Sequence, residues 1–458
     1  MLKWVTQNKE CGIISMYDLK DGGIVMSILS GKGKVHIDGH KDLTINKPVK
    51  EIDTPKKVYI PLVNGTATSF DVLVQVDDHV DIGTKLAVRK DLYLPIYASV
   101  SGTVVGIEKR MHVSGRMQEH IVIENDEHYT RVKVLDIEDP ESLSSNDIVE
   151  AMKELGLVGL GGSGFPTYVK YNHVENIDTI LINGVECEPL ITADHKAMEE
   201  NIEALFDGLR FMIKAANASK GIIAIKEHKP ELFKKLQEYA TKESNITCVE
   251  VKDRYPMGWE KTLVQEVLKK DFERLPSEVG VIVNNSSTAI ALSKGIRNGE
   301  MIARRIVTLS GDGLKDSTNV EVTIGTPASD IIEQIGGYID GDQEGIIING
   351  GPMMGNSLMN DTFVVATYTN AINVLVRHNQ VALPCLKCGM CIDHCPAHLQ
   401  PVKIMQAQKA ANVEMLEKLE VNRCVSCGMC SYICPSKIEV TDFVSKAKRR
   451  VQLANRKK

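Results

Sequence analysis

The residues best suited to chemistry are cysteines. Cys385, Cys388, Cys391 and Cys395, the last followed by Pro396, have the spacing C-x-x-C-x-x-C-x-x-x-C-P. Cys424, Cys427, Cys430, Cys434 and Pro435 repeat it. This is the ligand pattern of two 4Fe–4S clusters. Three thiolates spaced three apart on a tight loop wrap one face of a cube. The fourth, beside a proline that turns the chain away, is free to reach the other cube. The expected partition is Cys385, Cys388, Cys391 and Cys434 on one cluster, and Cys424, Cys427, Cys430 and Cys395 on the other. Zinc sites pair two C-x-x-C units or a Cys/His set, which does not account for this duplicated order. A disulfide framework belongs to short secreted chains. Two clusters accept and pass single electrons, so the rest of the chain must explain where the electrons come from.

Four polar loops are the candidates. Gly159-Leu160-Gly161-Gly162-Ser163-Gly164-Phe165-Pro166-Thr167 satisfies G-x-G-x-x-G but follows a helix, not the strand of a dinucleotide fingerprint, and it lacks the Gly-Lys-Ser/Thr of a P-loop. Its glycines still allow close backbone approach to a flat ring or a phosphate. Lys170 offers that phosphate a cation. Asn183-Gly184-Val185-Glu186-Cys187-Glu188-Pro189 leaves a strand end with two acids and an amide; taken alone it also reads as a solvated turn. Asn284-Asn285-Ser286-Ser287-Thr288 leaves another strand, where a helix start would aim N–H groups at an anion or simply be capped. Tyr255-Pro256-Met257-Gly258-Trp259-Glu260-Lys261 is the fourth.

The elements that must position these loops read as a multidomain α/β protein. Residues 1–30 form an extension with a turn at Asp21-Gly22-Gly23. Over 31–135, short β runs (Val58–Leu62, Asp71–Val76, Lys85–Val88, Ser99–Ile107, His120–Glu124) resemble the barrel-sandwich hybrid of lipoyl domains, without a carrier-lysine hairpin. Residues 140–300 alternate helix and strand. A capped helix over Asn146–Leu155 is stopped by Gly156, and strands at Thr179–Asn183, Gly221–Ile225 and Val281–Asn284 are separated by helices near 193–215, 230–243 and 260–270. That alternation argues a parallel sheet whose ligands sit outside the strands' carboxyl ends. Residues 304–362 fit a β-grasp module. Residues 370–445 form a two-cluster, ferredoxin-like domain, mostly helical because Val402–Glu420 has helix-forming composition. Residues 446–458 form a basic tail.

Composition sets limits. The 458 residues are 43% hydrophobic and 25% charged, with 5% aromatics, so cores are aliphatic. A net charge of −6 argues against nucleic acid as a partner. The first residues carry no apolar h-region, and no run of about 18 apolar residues exists to span a membrane. Cys11, Cys187 and Cys248 are left over and scattered, which fits a reducing compartment.

Gly161 to Thr167, Asn183 to Pro189, Tyr255 to Lys261, Asn284-Asn285 and the doubled cysteine motif occur in one order. With Thr192-Ala193-Asp194-His195 and Gly350-Gly351-Pro352-Met353-Met354-Gly355, they resemble the RnfC family of the Rnf electron transport complex, a relative of the flavin subunit of respiratory complex I. The resemblance implies an α/β domain that binds FMN and exchanges hydride with NADH, passing single electrons to the clusters. Gly161, Gly162, Gly164 and Lys170 match the glycine loop that contacts flavin. Asn183, Glu186 and Glu188 match its second loop, and Asn284, Asn285 and Thr288 its third. Glu260 matches an acid near the nicotinamide nucleotide. No side chain need act as acid or base in hydride transfer. The implied partners are membrane and ferredoxin-like subunits of an ion-translocating complex, with the chain peripheral on the cytoplasmic side. Leu160 stands where the complex I relative has Arg, and Trp259 where it has a second acid. The alternatives are a soluble flavin/iron–sulfur reductase serving a corrinoid enzyme or an amino-acid reductase, and a non-catalytic electron relay.

Overall fold

The computed structural model describes residues 36–339, 345–378 and 380–455. The expected extension over 1–30, with its turn, lies outside them. No helix among the described residues is long and apolar enough to cross a membrane.

After the two-residue strand β1 (Lys50–Glu51) come β2 (Lys57–Pro61), β3 (Phe70–Val72), β4 (His79–Val80), β5 (Lys85–Arg89), β6 (Pro95–Tyr97), β7 (Gly102–Met111) and β8 (Met117–Asn125). They form two antiparallel sheets, ordered β2-β8-β7-β4 and β3-β5-β6. The two enclose a core that includes Val58, Ile60, Leu86, Val104, Ile121 and Ile123. The run expected over Asp71–Val76 ends as a strand at Val72, and Leu73 and Val76 stand exposed. The Leu73 N–H still donates to the Leu86 carbonyl of β5 at 2.8 Å, and the pairing stops there.

The α/β unit opens with α1 (Ser145–Glu154). Ser144 caps it, and the Asp147 side chain accepts in return from the Ser144 N–H, closing a capping box. Then follow β9 (Thr179–Gly184), α2 (Ala193–Glu200), α3 (Ile202–Ala215), β10 (Lys220–Lys226), α4 (Pro230–Ala240), β11 (Ile246–Val251), α5 (Glu260–Leu268), β12 (Val281–Asn285) and α6 (Ser286–Asn298). The sheet is wholly parallel, in the order β11-β10-β9-β12. β11, an edge strand, was not among the strands expected from sequence. A Cβ on Gly208 of α3 would lie 1.9 Å from the Ala289 carbonyl oxygen of α6, so glycine lets these helices close. From β9 the chain winds outward to β10 and β11, then returns to β12 on the other side of β9. The crevice between the ends of β9 and β12 is therefore the switch point where such sheets bind ligands.

The third unit contains β13 (Arg304–Ser310), β14 (Thr318–Thr323), α7 (Ala328–Gln334), β15 (Gly345–Asn349) and β16 (Asn356–Leu358). Its sheet runs β1-β14-β13-β17-β15-β16. β1 and β17 (Ala371–Val376) join it from outside 304–362, the second as an interior strand.

The cysteine unit is helical: α8 (Met390–Asp393), α9 (Pro401–Lys409), α10 (Val413–Lys418), α11 (Met429–Tyr432) and α12 (Val440–Asn455). The helix-rich stretch 402–420 is two helices, because Ala411 turns left-handed (φ 53°) and Asn412 caps α10. Residues 446–455 of the expected tail belong to α12, which buries Val440, Val444, Ala447 and Val451 along one stripe.

Candidate functional site

The polar loops meet at the switch point around a cavity of about 740 Å³. That is the size of a drug- or cofactor-binding site, about 300–1,000 Å³. Gly159, Gly161 and Ser163 line one side. Asn183, Glu186, Asp194, Asn284 and Asn285 line the cavity as well. Lys170, Trp259 and Glu260 also line it, together with Val425 and Cys427 of the cysteine unit.

Each polar side chain is held by a second group. Asn285 caps α6 by accepting from Ser287 N at 2.9 Å and donates Nδ2 to Asp194 Oδ2 at 2.6 Å. Ser287 Oγ donates to Asp194 Oδ1 at 2.8 Å. Asp194 N in turn donates to Glu186 Oε1 at 2.8 Å. Burial raises the Asp194 carboxyl above its ordinary range, against the pull of the Ser287 and Asn285 hydrogen bonds. Asn284 Nδ2 donates to the Tyr171 hydroxyl at 2.5 Å, and Asn183 Nδ2 to the Gly258 carbonyl at 2.8 Å. Lys170 Nζ donates to the Val283 carbonyl at 2.8 Å and lies 3.4 Å from Glu260 Oε1. These donors, acceptors and a cation around a glycine-lined wall fit a flavin mononucleotide, whose polar ring edge, ribityl chain and phosphate need those partners.

Three expected residues do not line the cavity. Thr288 is buried beneath the glycine loop, where its Oγ1 accepts from Leu160 N at 3.0 Å. Gly162 (φ 98°) has open space around its Cα. Gly164 (φ 60°) faces away, and a Cβ there would strike the Tyr368 ring at 2.8 Å. Gly162→Ala is expected to cost only backbone strain, about 1–3 kcal/mol. Gly164→Ala adds a ring clash and should unfold at a clearly lower temperature with weaker flavin retention. Equal thermal midpoints for the two variants would show that the loop is not wedged against Tyr368.

Glu188 lines the cavity as expected and also holds a joint. Its Oε1 accepts from the Tyr255 hydroxyl at 3.0 Å and its Oε2 from Met353 N at 3.0 Å, while the same hydroxyl lies 2.7 Å from the Cys427 carbonyl oxygen. Glu188 thus ties the α/β unit to the third unit, and Tyr255 ties it to the cysteine unit. Gly351 is required beside it, since a Cβ would lie 2.0 Å from Glu188 Oε2. Burial pushes the Glu188 carboxyl up to about 7. Because the folded value exceeds the unfolded one, this stability is full below about pH 4.5 and is lost as pH rises through about 7. Glu188→Gln should flatten the pH dependence of unfolding across that window and leave the protein relatively more stable at about pH 8. Denaturant midpoints over a pH series check this, and an unchanged slope would refute it.

The two cysteine loops have the same backbone. Lys387, Gly389 and His398 have φ of 56°, 84° and 54°, and Ser426, Gly428 and Lys437, at the equivalent positions, have 54°, 77° and 53°. Lys387 N reaches Cys385 Sγ at 3.4 Å and Ser426 N reaches Cys424 Sγ at 3.3 Å. Cys427 and Cys430 are pushed up to about 12 by burial first, and Cys424 and Cys395 are among the thiols that raise both. Cys395, of the first motif, packs against the same core as Cys424 and Cys430. Cys391 has Cys385 and Cys388 as its thiol neighbours. Among the described residues no group of His, Cys, Asp and Glu closes tightly enough for a single metal ion. A cube held at its corners spaces its ligands more widely. Cys388 is exposed, whereas Cys427 is buried against the cavity.

Asp194 and Tyr255 hold the site together, yet the sequence marked them only as parts of longer motifs. Leu160 is buried, and its carbonyl accepts from Arg305 NH2 at 3.2 Å, so a guanidinium reaches this loop from the neighbouring sheet.

Family models match four stretches of the chain: an RnfC barrel sandwich hybrid domain at 29–128, a Nuo51 FMN-binding domain at 152–294, an SLBB domain at 306–357 and a 4Fe-4S dicluster domain at 384–439. The C subunit of the Na(+)-translocating ferredoxin:NAD(+) oxidoreductase complex of Acetobacterium woodii is 31% identical over 85% of this chain and 89% of its own. The C subunit of the proton-translocating ferredoxin:NAD(+) oxidoreductase complex of Clostridium ljungdahlii is 32% identical over 81% of this chain and 83% of its own. The C subunit of the ion-translocating oxidoreductase complex of Rhodobacter capsulatus is 31% identical over 85% and 76%. Among solved structures, an NAD+-reducing [NiFe]-hydrogenase aligns with 70% of this chain and 65% of its own at 16% identity and a TM-score of 0.49, too loose to carry an argument. The chain carries an FMN-binding domain and a 4Fe-4S dicluster domain, and it belongs to the RnfC family of ferredoxin:NAD oxidoreductase complexes.

Proposed function

We propose that this protein is the electron-input subunit of an ion-translocating ferredoxin:NAD oxidoreductase complex, peripheral on the cytoplasmic face of the membrane. Bound FMN would supply the conversion between two-electron hydride exchange with NADH and one-electron traffic with the clusters. The observation that carries this reading is a wall shared by two sites, since Cys427 lines the same cavity as Asn183, Glu186 and Asn285. Glu186, Asn183, Asn284 and Asn285 would hold the flavin's polar atoms, and Lys170 would face its phosphate. Trp259 and Glu260, which line the same cavity, would meet the nicotinamide nucleotide.

Cys424, Cys427, Cys430 and Cys395 would hold the inner cluster, and Cys385, Cys388, Cys391 and Cys434 the outer one. Around the outer loop Val381, Leu383 and Leu386 are 83%, 61% and 68% exposed. An apolar apron beside an exposed cluster loop suits a redox partner. The test is anaerobic purification with flavin and iron analysis, followed by NADH titration. One FMN and about eight irons per chain, with the flavin bleached by NADH, support the reading; a protein with neither cofactor sinks it.

A further inference from the structure

The α/β unit does not hold its own β9–α2 loop unaided. Between β9 and α2, two non-glycine residues are left-handed: Glu186 at φ 42° and Leu190 at φ 65°. Such residues persist only where neighbours over-determine them. Here the neighbours come from a segment ahead of the barrel. Lys41 Nζ donates to the Glu186 carbonyl at 2.8 Å and also to the Ile191 carbonyl. Leu190 N donates to the Gly39 carbonyl at 2.7 Å. Both strained residues are therefore grasped through their backbone, one by its carbonyl and one by its N–H.

The same ammonium lies 3.7 Å from Glu186 Oε2, and neither side chain is more than 9% exposed. Thr44 Oγ1 meets Thr192 Oγ1 at 2.7 Å. Asn319 fastens both by donating to Thr192 Oγ1 at 2.8 Å and to the Thr44 carbonyl at 3.3 Å. At the segment's other end, buried Ile37 packs with Tyr255, Cys427 and Met429. One short segment thus touches the acid that lines the cavity and the loop of the inner cysteines.

We infer that residues 37–44, matched by the barrel family model, are a working part of the flavin site, in which Lys41 is a positioning residue that fixes Glu186 and its loop against the cavity. Lys41 itself does not line the cavity. It acts through two carbonyls and one carboxylate, and methionine can supply neither the hydrogen bonds nor the charge. Arginine can donate to the same acceptors. The inference rests on the flavin reading of the cavity.

Full-length protein, purified without oxygen and depleted of flavin, is titrated with FMN. Lys41→Met is expected to weaken FMN binding about tenfold or more, as when a buried charge loses its partner, and to shift the bound-flavin absorbance toward that of free FMN. Lys41→Arg should restore affinity to within about threefold of the unaltered protein. Hydrogen exchange on the unaltered protein gives a check that needs no variant to fold: FMN should protect amides of 38–44 and 184–192 together. A Lys41→Met protein with ordinary affinity and spectrum overturns the inference. So does a folded Lys41→Arg protein as impaired as Lys41→Met, or FMN protection confined to 184–192. If the unaltered protein binds no FMN, the flavin reading falls and this role with it; an indifferent Lys41→Met beside normal FMN binding overturns the Lys41 role alone.

Discussion

Replacing Cys427 with alanine is expected to separate hydride chemistry from electron delivery. Iron should fall from about eight to about four per chain, while NADH still bleaches the flavin. Reduction of a protein one-electron acceptor should drop by roughly 100-fold, equivalent to about 2.7 kcal/mol of barrier. The separation is possible because Cys427 serves the structure in two ways. Its thiol is the buried wall between cavity and cysteine loop, and its carbonyl oxygen lies 2.7 Å from the Tyr255 hydroxyl. Alanine removes the first and keeps the second, so the joint to the α/β unit stays tied. Cys388→Ala, on the exposed outer loop, should also remove about four irons but leave the inner cluster reducible by NADH. Iron analysis and anaerobic stopped-flow spectra decide the matter. Undiminished acceptor reduction by the Cys427 variant would mean that electrons leave by another route.

Asp194→Ala is the second large effect. Its carboxylate accepts from Asn285 at 2.6 Å and from Ser287 at 2.8 Å, at the start of α6. Its charge also raises the buried Arg305 guanidinium, which burial still holds down at about 10. Alanine leaves two donors without acceptors and a cation in the interior without its opposing charge. Leaving buried donors unpaired costs about 1–3 kcal/mol each, so a stability loss near 3 kcal/mol is expected, with FMN affinity reduced about 100-fold. Asp194→Asn keeps an acceptor for one of the two donors and should fall between. Denaturant unfolding and FMN titration measure both quantities. Wild-type FMN binding by the alanine variant would show that the α6 start is set by other contacts.

What could be read in the sequence was local. The cysteine ligands follow from spacing within two short loops, and matching left-handed residues on both loops show the repeat extends to backbone conformation. The helix–strand alternation of the α/β unit is likewise local, since apolar runs and caps lie within single elements. The loops around Asn183 and Asn284 leave strand ends and so fall at the sheet's rim. What could not be read depends on distant residues. Gly164 and Gly161 look alike in sequence, but one packs on Tyr368 and the other lines the cavity. Glu188 and Glu186 are two residues apart, yet Glu188 engages the backbone of Met353 and Glu186 engages that of Asp194. Lys41 precedes the domain it serves by a whole barrel. No periodicity announces a lysine whose partners lie some 150 residues away.

The placement of β17 bears on how the chain is made. It lies between β13 and β15, while β1, at the far edge of that sheet, pairs with Val320 and Glu321 of β14. A ribosome releases Lys50 long before its partner strand exists, and β15 with β16 has no seat until Ala371–Val376 emerges. Pairings of this separation are slow to form and leave strand edges open meanwhile. Truncation between β16 and β17 would therefore remove an interior strand and yield an aggregation-prone fragment, not a free-standing flavoprotein. Its assembly in the cell depends on keeping those edges covered until Val376 has arrived.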